Sequence, residues 1–438
     1  MRIDSLRLIN FRRFKEHSLE LASRFNLIVG DNASGKTAIL DALSIAASAV
    51  VKDKGRPVGK SRRIEEAEIR QQSFQHGQTL NMEPQLPCIV ECEGEIAGEK
   101  GTWAFTTNSE KGMDWGAAEW ASTLAHSLHN RVKHGEPDCL PLISYYGTER
   151  LWRQAASKPY TKIRGDSRLD GYKNCLNPAS DERRLIEWFR DQEFAALQQK
   201  TELPILEACR RAISTCIRDA EHVYFDATLK QLVMSVSETA LPATFLSDGY
   251  RNMLSMVADI AIRCATLNPQ FEAESPLQTN GIVLIDELDL HLHPKWQRQI
   301  VTDLMSAFPR IQFIATTHSP FVIQSLPARN GVQLLNLDDE DNRDFSDKSV
   351  EDIAESIQGV DLPQRSQRFI DMMEKAEHYF GLLKEESGTS PEEKSAQRAE
   401  LQRLIIPFSD DPALSAFLKM NELAALHKAT DESDGGQA

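Results

Sequence analysis

Three nearly unbroken apolar runs stand out along the chain: Phe25–Val29, Ile282–Ile285 and Ile311–Thr316. Short runs of this kind, bounded by polar residues, predict strands buried on both faces, as in a parallel sheet. By contrast, Ile3–Leu8 alternates and predicts an edge strand, while Cys88–Glu93 and the stretch Leu140–Trp152 are strand-like. Helical periodicity covers Thr37–Ala47, residues 181–220 and a segment from Asp248 to Cys264, with a loop at Arg168–Pro178. His222–Phe225 and Leu232–Val236 predict a hairpin. Beyond residue 320, Val350–Gly359, Arg365–Lys384, Pro391–Leu404 and Ser409–Leu426 read as helices. A loop at Gly388 and Ser390 separates the middle two, and the last opens with a capping residue and a proline. Asp338–Asp347 is a dense acidic run without strand pattern, and Ala429–Ala438 is acidic and glycine-bearing, so a disordered tail is expected there.

The chemistry sits at the ends of the apolar runs. GDNASGKT, Gly30 to Thr37, follows the first run and opens a helix, and it fits G-x-x-x-x-G-K-[ST] at every fixed position. In that motif the backbone from Gly30 through Asn32, Ala33, Ser34 and Gly35 turns its N–H groups around phosphates, and Lys36 reaches the outer phosphates. The Thr37 hydroxyl is a magnesium ligand in the same scheme, so ATP and Mg2+ are the expected ligands. The second run delivers Asp286 and Glu287, the pattern of a central strand presenting carboxylates at its C-terminal edge. Asp286 suits the hydrated magnesium and Glu287 suits the attacking water. The third run presents His318. His291 and His293 alternate but are followed by no third ligand at metal-site spacing.

These strings, together with LSDGYRNML from Leu246 and LDLHLHP from Leu288, resemble the ABC-type ATPase heads of the SMC, RecF and OLD class. The resemblance implies an α/β fold, an SMC-head-like P-loop NTPase, with a helical insertion and a helical C-terminal extension. Only about 170 residues separate Gln72 from Leu246 without a sustained heptad run, so no long coiled coil is expected. It further implies that Ser247 and Gly249 contact the nucleotide of an opposite protomer, that Asp289 belongs to a D-loop at the dimer interface, and that His318 is a switch histidine. Ser247 is also a fitting N-cap for its helix. Arg12 of NFRRF would lie over the phosphates, and Gln71 or Gln72 would supply the Q-loop glutamine, with Gln71 a magnesium ligand. OLD-type nucleases place a TOPRIM metal nuclease domain after the switch histidine, for which the remaining residues are too few and too helical. The architecture resembles the ATPases of bacterial anti-phage systems of the Septu type, which partner an HNH nuclease, and the predicted ATP-binding proteins involved in virulence. The implied function is an ATP-sandwiched homodimer or higher homo-oligomer controlling a separate HNH-type nuclease. The alternative is a RecF-like repair or recombination ATPase that binds DNA directly. Transporter heads share the motif set but lack LHLHP and NFRRF.

Composition narrows the picture. The 438 residues carry 41% hydrophobic and 26% charged residues, an ordinary globular balance. Motif spread predicts one head over residues 1–335: a P-loop lobe (1–110), a mostly helical inserted segment (111–240) and a signature and Walker B lobe (241–335). Residues 336–428 form the extension and 429–438 the tail. A formal net charge of −15 opposes DNA binding over the whole surface. Two local basic clusters keep nucleic acid a candidate partner: Lys52, Lys54, Arg56, Lys60, Arg62, Arg63, and Arg150, Arg153, Lys158, Lys162, Arg164, Arg168, Lys173. Tyr145 and Tyr146 beside Arg150 suit either base stacking or the interior. Seven scattered cysteines read as reduced thiols. With no signal peptide and no membrane-length apolar run, a cytoplasmic enzyme is expected.

Overall fold

The computed structural model describes residues 1–53, 56–57, 62–76, 79–109, 112–114, 118–150, 167–178, 182–339, 348–360, 363–384, 391–408 and 412–434. Residues 1–353 and 354–438 form two compact units. Lys54, Lys60, Arg153, Lys158, Lys162, Arg164, most of the acidic run and the Gly388–Ser390 loop lie outside the described residues.

The first unit is built on a five-stranded sheet in the order Leu142–Tyr146, Gly281–Ile285, Ile311–Thr316, Phe25–Val29, Val332–Asn336, with every pairing parallel. The first four strands are buried at every position, which is why their sequences cannot alternate. Gln312, the polar residue within one run, is consumed internally. Its side-chain amide donates to the Ile3 carbonyl at 2.7 Å and to the Ala22 carbonyl at 2.9 Å, and its oxygen accepts from Ile3 N at 2.9 Å.

Two strands of this sheet revise the expected layout. Leu142–Tyr146 falls inside the segment expected as an insertion, yet Ser144 pairs with Val283 of the carboxylate-bearing strand. Val332–Asn336, which shows no clear strand pattern in sequence, closes the other edge beside Phe25–Val29 and carries the sheet past residue 335.

A second, antiparallel sheet runs in the order Gly112–Asp114, Glu99–Ser109, Cys88–Ile96, Arg2–Phe11, Phe14–Glu20. The N-terminal strand is therefore not an edge: it pairs with Phe14–Glu20 on one side and with Cys88–Ile96 on the other. The helix Lys36–Val51 packs against both sheets and is buried at every position except Thr37. A helix enclosed on all sides must be apolar all round, as ILDALSIAASAVV nearly is. Its few polar groups are satisfied: Ser44 and Ser48 bond carbonyls of their own helix, and the Ala46 carbonyl accepts from Trp103 Nε1 at 3.1 Å.

The helices Glu182–Gln199 and Pro204–Cys216 and the antiparallel strands Ala220–Asp226, Gln231–Val236 and Thr239–Pro242 lead into the long helix Asp248–Leu267. All seven cysteines are free thiols, and burial pushes Cys88 up to about 12 and Cys175 up to about 11. In the second unit Gln367–Lys384, Pro391–Ile405 and Pro412–Asp434 pack around Met372, Ala376, Tyr379, Leu401, Leu414 and Leu418. The last helix reaches Asp434, into the segment expected as a tail. No described helix is long and apolar enough to cross a membrane.

Candidate functional site

The loops that leave the three inner strands of the central sheet at their C-terminal ends converge, the place where open α/β sheets bind ligands. A cavity of about 350 Å³ opens there, lined by Arg12, Arg13, Asn32, Ala33, Gly35, Lys36, Thr37, Ala38, Asp286, Glu287 and His318.

The loop Gly30–Thr37 forms its floor. Gly30 and Gly35 adopt φ of +148° and +105° and Ala33 a φ of +65°, so the chain doubles back on itself before entering the helix. A side chain at Gly35 would also strike the Phe14 ring at 2.5 Å. Lys36 Nζ donates to the Gly30 and Asp31 carbonyls, both at 2.8 Å. Burial pulls its ammonium below the ordinary lysine range, while Asp338, Asp286, Asp31 and Glu287 pull the other way. Among the described residues the buried Ser34 hydroxyl has no hydrogen-bond partner. A helix N-terminus, a cationic side chain and an unpartnered hydroxyl together make an anion cradle.

Opposite stands the carboxylate wall. Thr37 Oγ1 donates to Asp286 Oδ2 at 2.9 Å, and Thr316 Oγ1 donates to Asp286 Oδ1 at 2.6 Å. The same Thr316 oxygen accepts from Glu287 N at 2.7 Å, so one hydroxyl locates both acids. Glu287 has a φ of +51°, an uncommon left-handed conformation for this residue type. Asp289 accepts from Thr317 Oγ1 and, at 3.4 Å, from His318 N, which fixes the loop that carries the histidine. The Thr37 hydroxyl and Asp286 carboxylate are hard oxygen donors already in contact, a pair that fits a magnesium ion.

Thr316→Val removes this shared hydroxyl and leaves buried polar groups without a partner. The expected cost is roughly 1–3 kcal/mol of unfolding free energy, read by urea unfolding. A midpoint equal to that of the unaltered chain contradicts the bridging role.

Arg12 lines the cavity with φ +49°, but its guanidinium is also engaged below, with Asp41 and at 3.3 Å with Glu68. Arg62 pairs with the same two carboxylates, at 2.9 Å for Glu68. This basic residue thus belongs to a buried ion cluster. Arg168 likewise spends its donors on the Leu267, Glu136 and Asp138 carbonyls, and Lys173 pairs with Asp170 at 2.9 Å. Tyr145 and Tyr146 are interior, each 4% exposed, and their hydroxyls donate to Asp41 at 3.2 Å and Asp259 at 2.7 Å, so neither offers a face for stacking.

Six expected site residues do not line the cavity: Gly30 and Ser34 lie within its floor loop, Asp289 follows beyond Glu287, and Gln71, Ser247 and Gly249 lie on other elements. Gln71 is exposed at the start of the hairpin strand Gln71–His76, opposite Pro84. That polar hairpin intervenes before Cys88–Ile96 and carries the glutamine away from the set that lines the site. Ser247 and Gly249 lie at the start of the helix Asp248–Leu267 instead. Ser247 occupies the N-cap position but makes no side-chain capping bond, contrary to expectation, and it is exposed. A side chain at Gly249 would meet the His291 carbonyl at 2.6 Å, so glycine permits the helix to sit directly on the loop after Glu287. His293 Nδ1 accepts from Lys295 N at 3.2 Å and caps the helix Pro294–Gln297.

One residue at the site escaped sequence reasoning, and Arg13, left open beside Arg12 in the sequence, lines the cavity. Asp338 follows the edge strand and accepts from Asp31 N of the P-loop. An apolar pair ending in acids, LLNLDD, carries the same signal as the strand that ends at Asp286, in weaker form. Arg13 donates to the Ala33 carbonyl and sits 6.0 Å over the Phe14 ring.

With this geometry in place, comparison with known proteins is direct. An AAA-domain model matches residues 5–221, and an AAA-domain model named for AbiEii-type toxins of type IV toxin–antitoxin systems matches residues 217–324. The "Retron Vc95 probable ATPase" of Vibrio cholerae serotype O1 biovar El Tor is 26% identical over 388 residues, 77% of this chain and 74% of that protein. The "Septu protein PtuA" of Bacillus mycoides (strain KBAB4) is 30% identical over 185 residues, 42% of this chain and 23% of that protein. Among solved structures, the SMC head domain from Thermotoga maritima aligns with a TM-score of 0.41 and 16% identity, over 76% of this chain and 97% of that one. The two consecutive AAA-domain matches, which together span residues 5–324, and the similarity to relatives named as ATPases agree with the P-loop and carboxylate geometry.

Proposed function

We propose that this chain binds and hydrolyses ATP as two heads closed around two nucleotides, and that in bacterial anti-phage defence it holds or releases a separate HNH-type nuclease as its nucleotide state changes. The observation that carries the catalytic half is the single cavity bounded by the P-loop, Asp286, Glu287 and His318. The defence half draws on the relatives named for a retron and for Septu.

In this reading the P-loop N–H groups and Lys36 hold the phosphates, and the bound nucleotide replaces the carbonyls that Lys36 now contacts. Thr37 and Asp286 hold magnesium, which neutralises charge on the outer phosphates when bound. Glu287 orients a water and takes its proton as the water attacks, and His318 donates to the departing phosphate oxygens. Phosphoryl transfer demands mainly positioning and charge stabilisation, which a rigid sheet edge supplies. The exposed Ser247 and, beneath it, Gly249, both outside this cavity at the helix start, complete the site of a facing protomer.

The test is an affinity pull-down of the natively expressed chain with its genomic neighbours present, with and without ATP, read by mass spectrometry. A nuclease chain recovered in fixed ratio, with recovery that changes with ATP, is the expected result. Recovery of the protein alone, with turnover stimulated by DNA at physiological salt, overturns the partner reading in favour of a RecF-like factor.

A further inference from the structure

Arg150 is 1% exposed, yet among the described residues its hydrogen bonds go to carbonyl and amide oxygens rather than to a carboxylate. Its guanidinium instead grips the main chain. Nη1 donates to the Asp286 carbonyl and, at 3.1 Å, to the Gly147 carbonyl, and Nη2 donates to the Glu287 carbonyl at 2.6 Å. Nε donates to Asn252 Oδ1 at 2.9 Å. Asn252 lies in the first turn and a half of the helix Asp248–Leu267, and its Nδ2 donates onward to the Leu290 carbonyl at 2.8 Å. The start of that helix also meets the same loop through Gly249 against the His291 carbonyl, and the helix that follows the loop through Tyr250 against Trp296 at 4.4 Å, edge to face.

A buried arginine is costly to desolvate, and burial pushes this one down to about 10, with Asp286, Glu287 and Asp289 opposing. It nevertheless stays charged at neutral pH, and carbonyls it binds are held more firmly than by a neutral donor. The residues so held include Glu287, whose left-handed backbone needs external support to persist.

We infer that Arg150 and Asn252 are a positioning relay that ties the start of the helix Asp248–Leu267 to the backbone of Asp286 and Glu287 in the same head, so that engagement of that helix at the facing nucleotide sets the aim of the Glu287 carboxylate. This rests on the paired-head ATPase reading. Neither residue lines the cavity, so neither touches the nucleotide. The relay makes each head's hydrolysis depend on the other head's occupancy.

The experiment measures ATP turnover against ATP concentration for the full chain and for Asn252→Ala and Arg150→Lys, with binding of a fluorescent ATP analogue measured separately. Misplacing a catalytic group by about 1 Å costs about 10²-fold in rate, and a kcat fall approaching that size is expected in both variants. Analogue affinity should stay within about twofold while the cooperativity of turnover in ATP disappears. Asn252→Ala removes two hydrogen bonds and no charge, and so carries the test if Arg150→Lys does not fold. Unchanged kcat and cooperativity in Asn252→Ala overturn the relay, as does a parallel loss of analogue binding and kcat. If the unaltered chain binds the analogue but does not turn ATP over, the ATPase reading itself fails, and the relay fails with it.

Discussion

Glu287→Gln is expected to bind ATP as tightly as the unaltered chain and to hydrolyse it about 10²–10⁴-fold more slowly, the range that a positioned general base contributes. The substitution removes the proton acceptor and little else. The backbone bonds of residue 287, from its N to Thr316 Oγ1 and from Arg150 to its carbonyl, involve no side-chain atom of Glu287. The cradle around Lys36 and the Thr37–Asp286 contact lie on other residues, so nucleotide affinity is preserved. With hydrolysis blocked, the nucleotide-bridged pair of heads should accumulate, visible as an ATP-dependent doubling of mass by light scattering. Undiminished turnover in Glu287→Gln removes this residue from the role of base.

Lys36→Ala is expected to abolish ATP binding and, with it, both turnover and ATP-dependent pairing. A bound nucleotide triphosphate brings several negative charges against a helix N-terminus, and Lys36 is the cavity-lining cation that rises from the floor of that cradle. Interaction with an ionised partner strengthens a hydrogen bond roughly twofold over a neutral one, so its loss outweighs any single N–H contact. The fold should survive, because Lys36 donates only to the Gly30 and Asp31 carbonyls of its own loop, both accessible to water once the side chain is cut back. The measurement is calorimetric titration with ATP and magnesium beside a thermal melt. Full-strength binding by a folded Lys36→Ala chain would falsify the assignment of the phosphate site.

Legibility in sequence followed the range of the interactions. Phe25–Val29, Gly281–Ile285 and Ile311–Thr316 are written plainly because a strand covered on both faces must be apolar at each position. The P-loop is legible because its turn, cation and hydroxyl are contiguous. The alternation of Ile3–Leu8 reports a buried face, but says nothing about main-chain hydrogen bonds, which carry no side-chain signature. The strand is paired on both sides for that reason without announcing it. Val332–Asn336 was obscure because a half-buried edge tolerates Gln333 and Asn336. Arg150 is harder still: the Asp286 and Glu287 carbonyls that it binds lie more than a hundred positions away, and a carbonyl is present whatever the residue. Gln71 is the opposite case, a suitable residue type at a suitable stage of the chain that sits on a hairpin outside the cavity lining.

The P-loop strand borrows both neighbours from the far end of the gene. Asn26 bonds the Phe313 carbonyl 287 residues downstream and receives a bond from Gln333, 307 residues downstream. At a synthesis rate of about 5–20 residues per second, the edges of Phe25–Val29 wait roughly 15–60 s on the ribosome for those partners. A nascent chain that already displays GDNASGKT therefore lacks the parallel sheet around its P-loop strand and the carboxylates opposite. Nucleotide competence arrives late and all at once, when the strand Val332–Asn336 emerges, and a chain cut short before that point yields no half-working head.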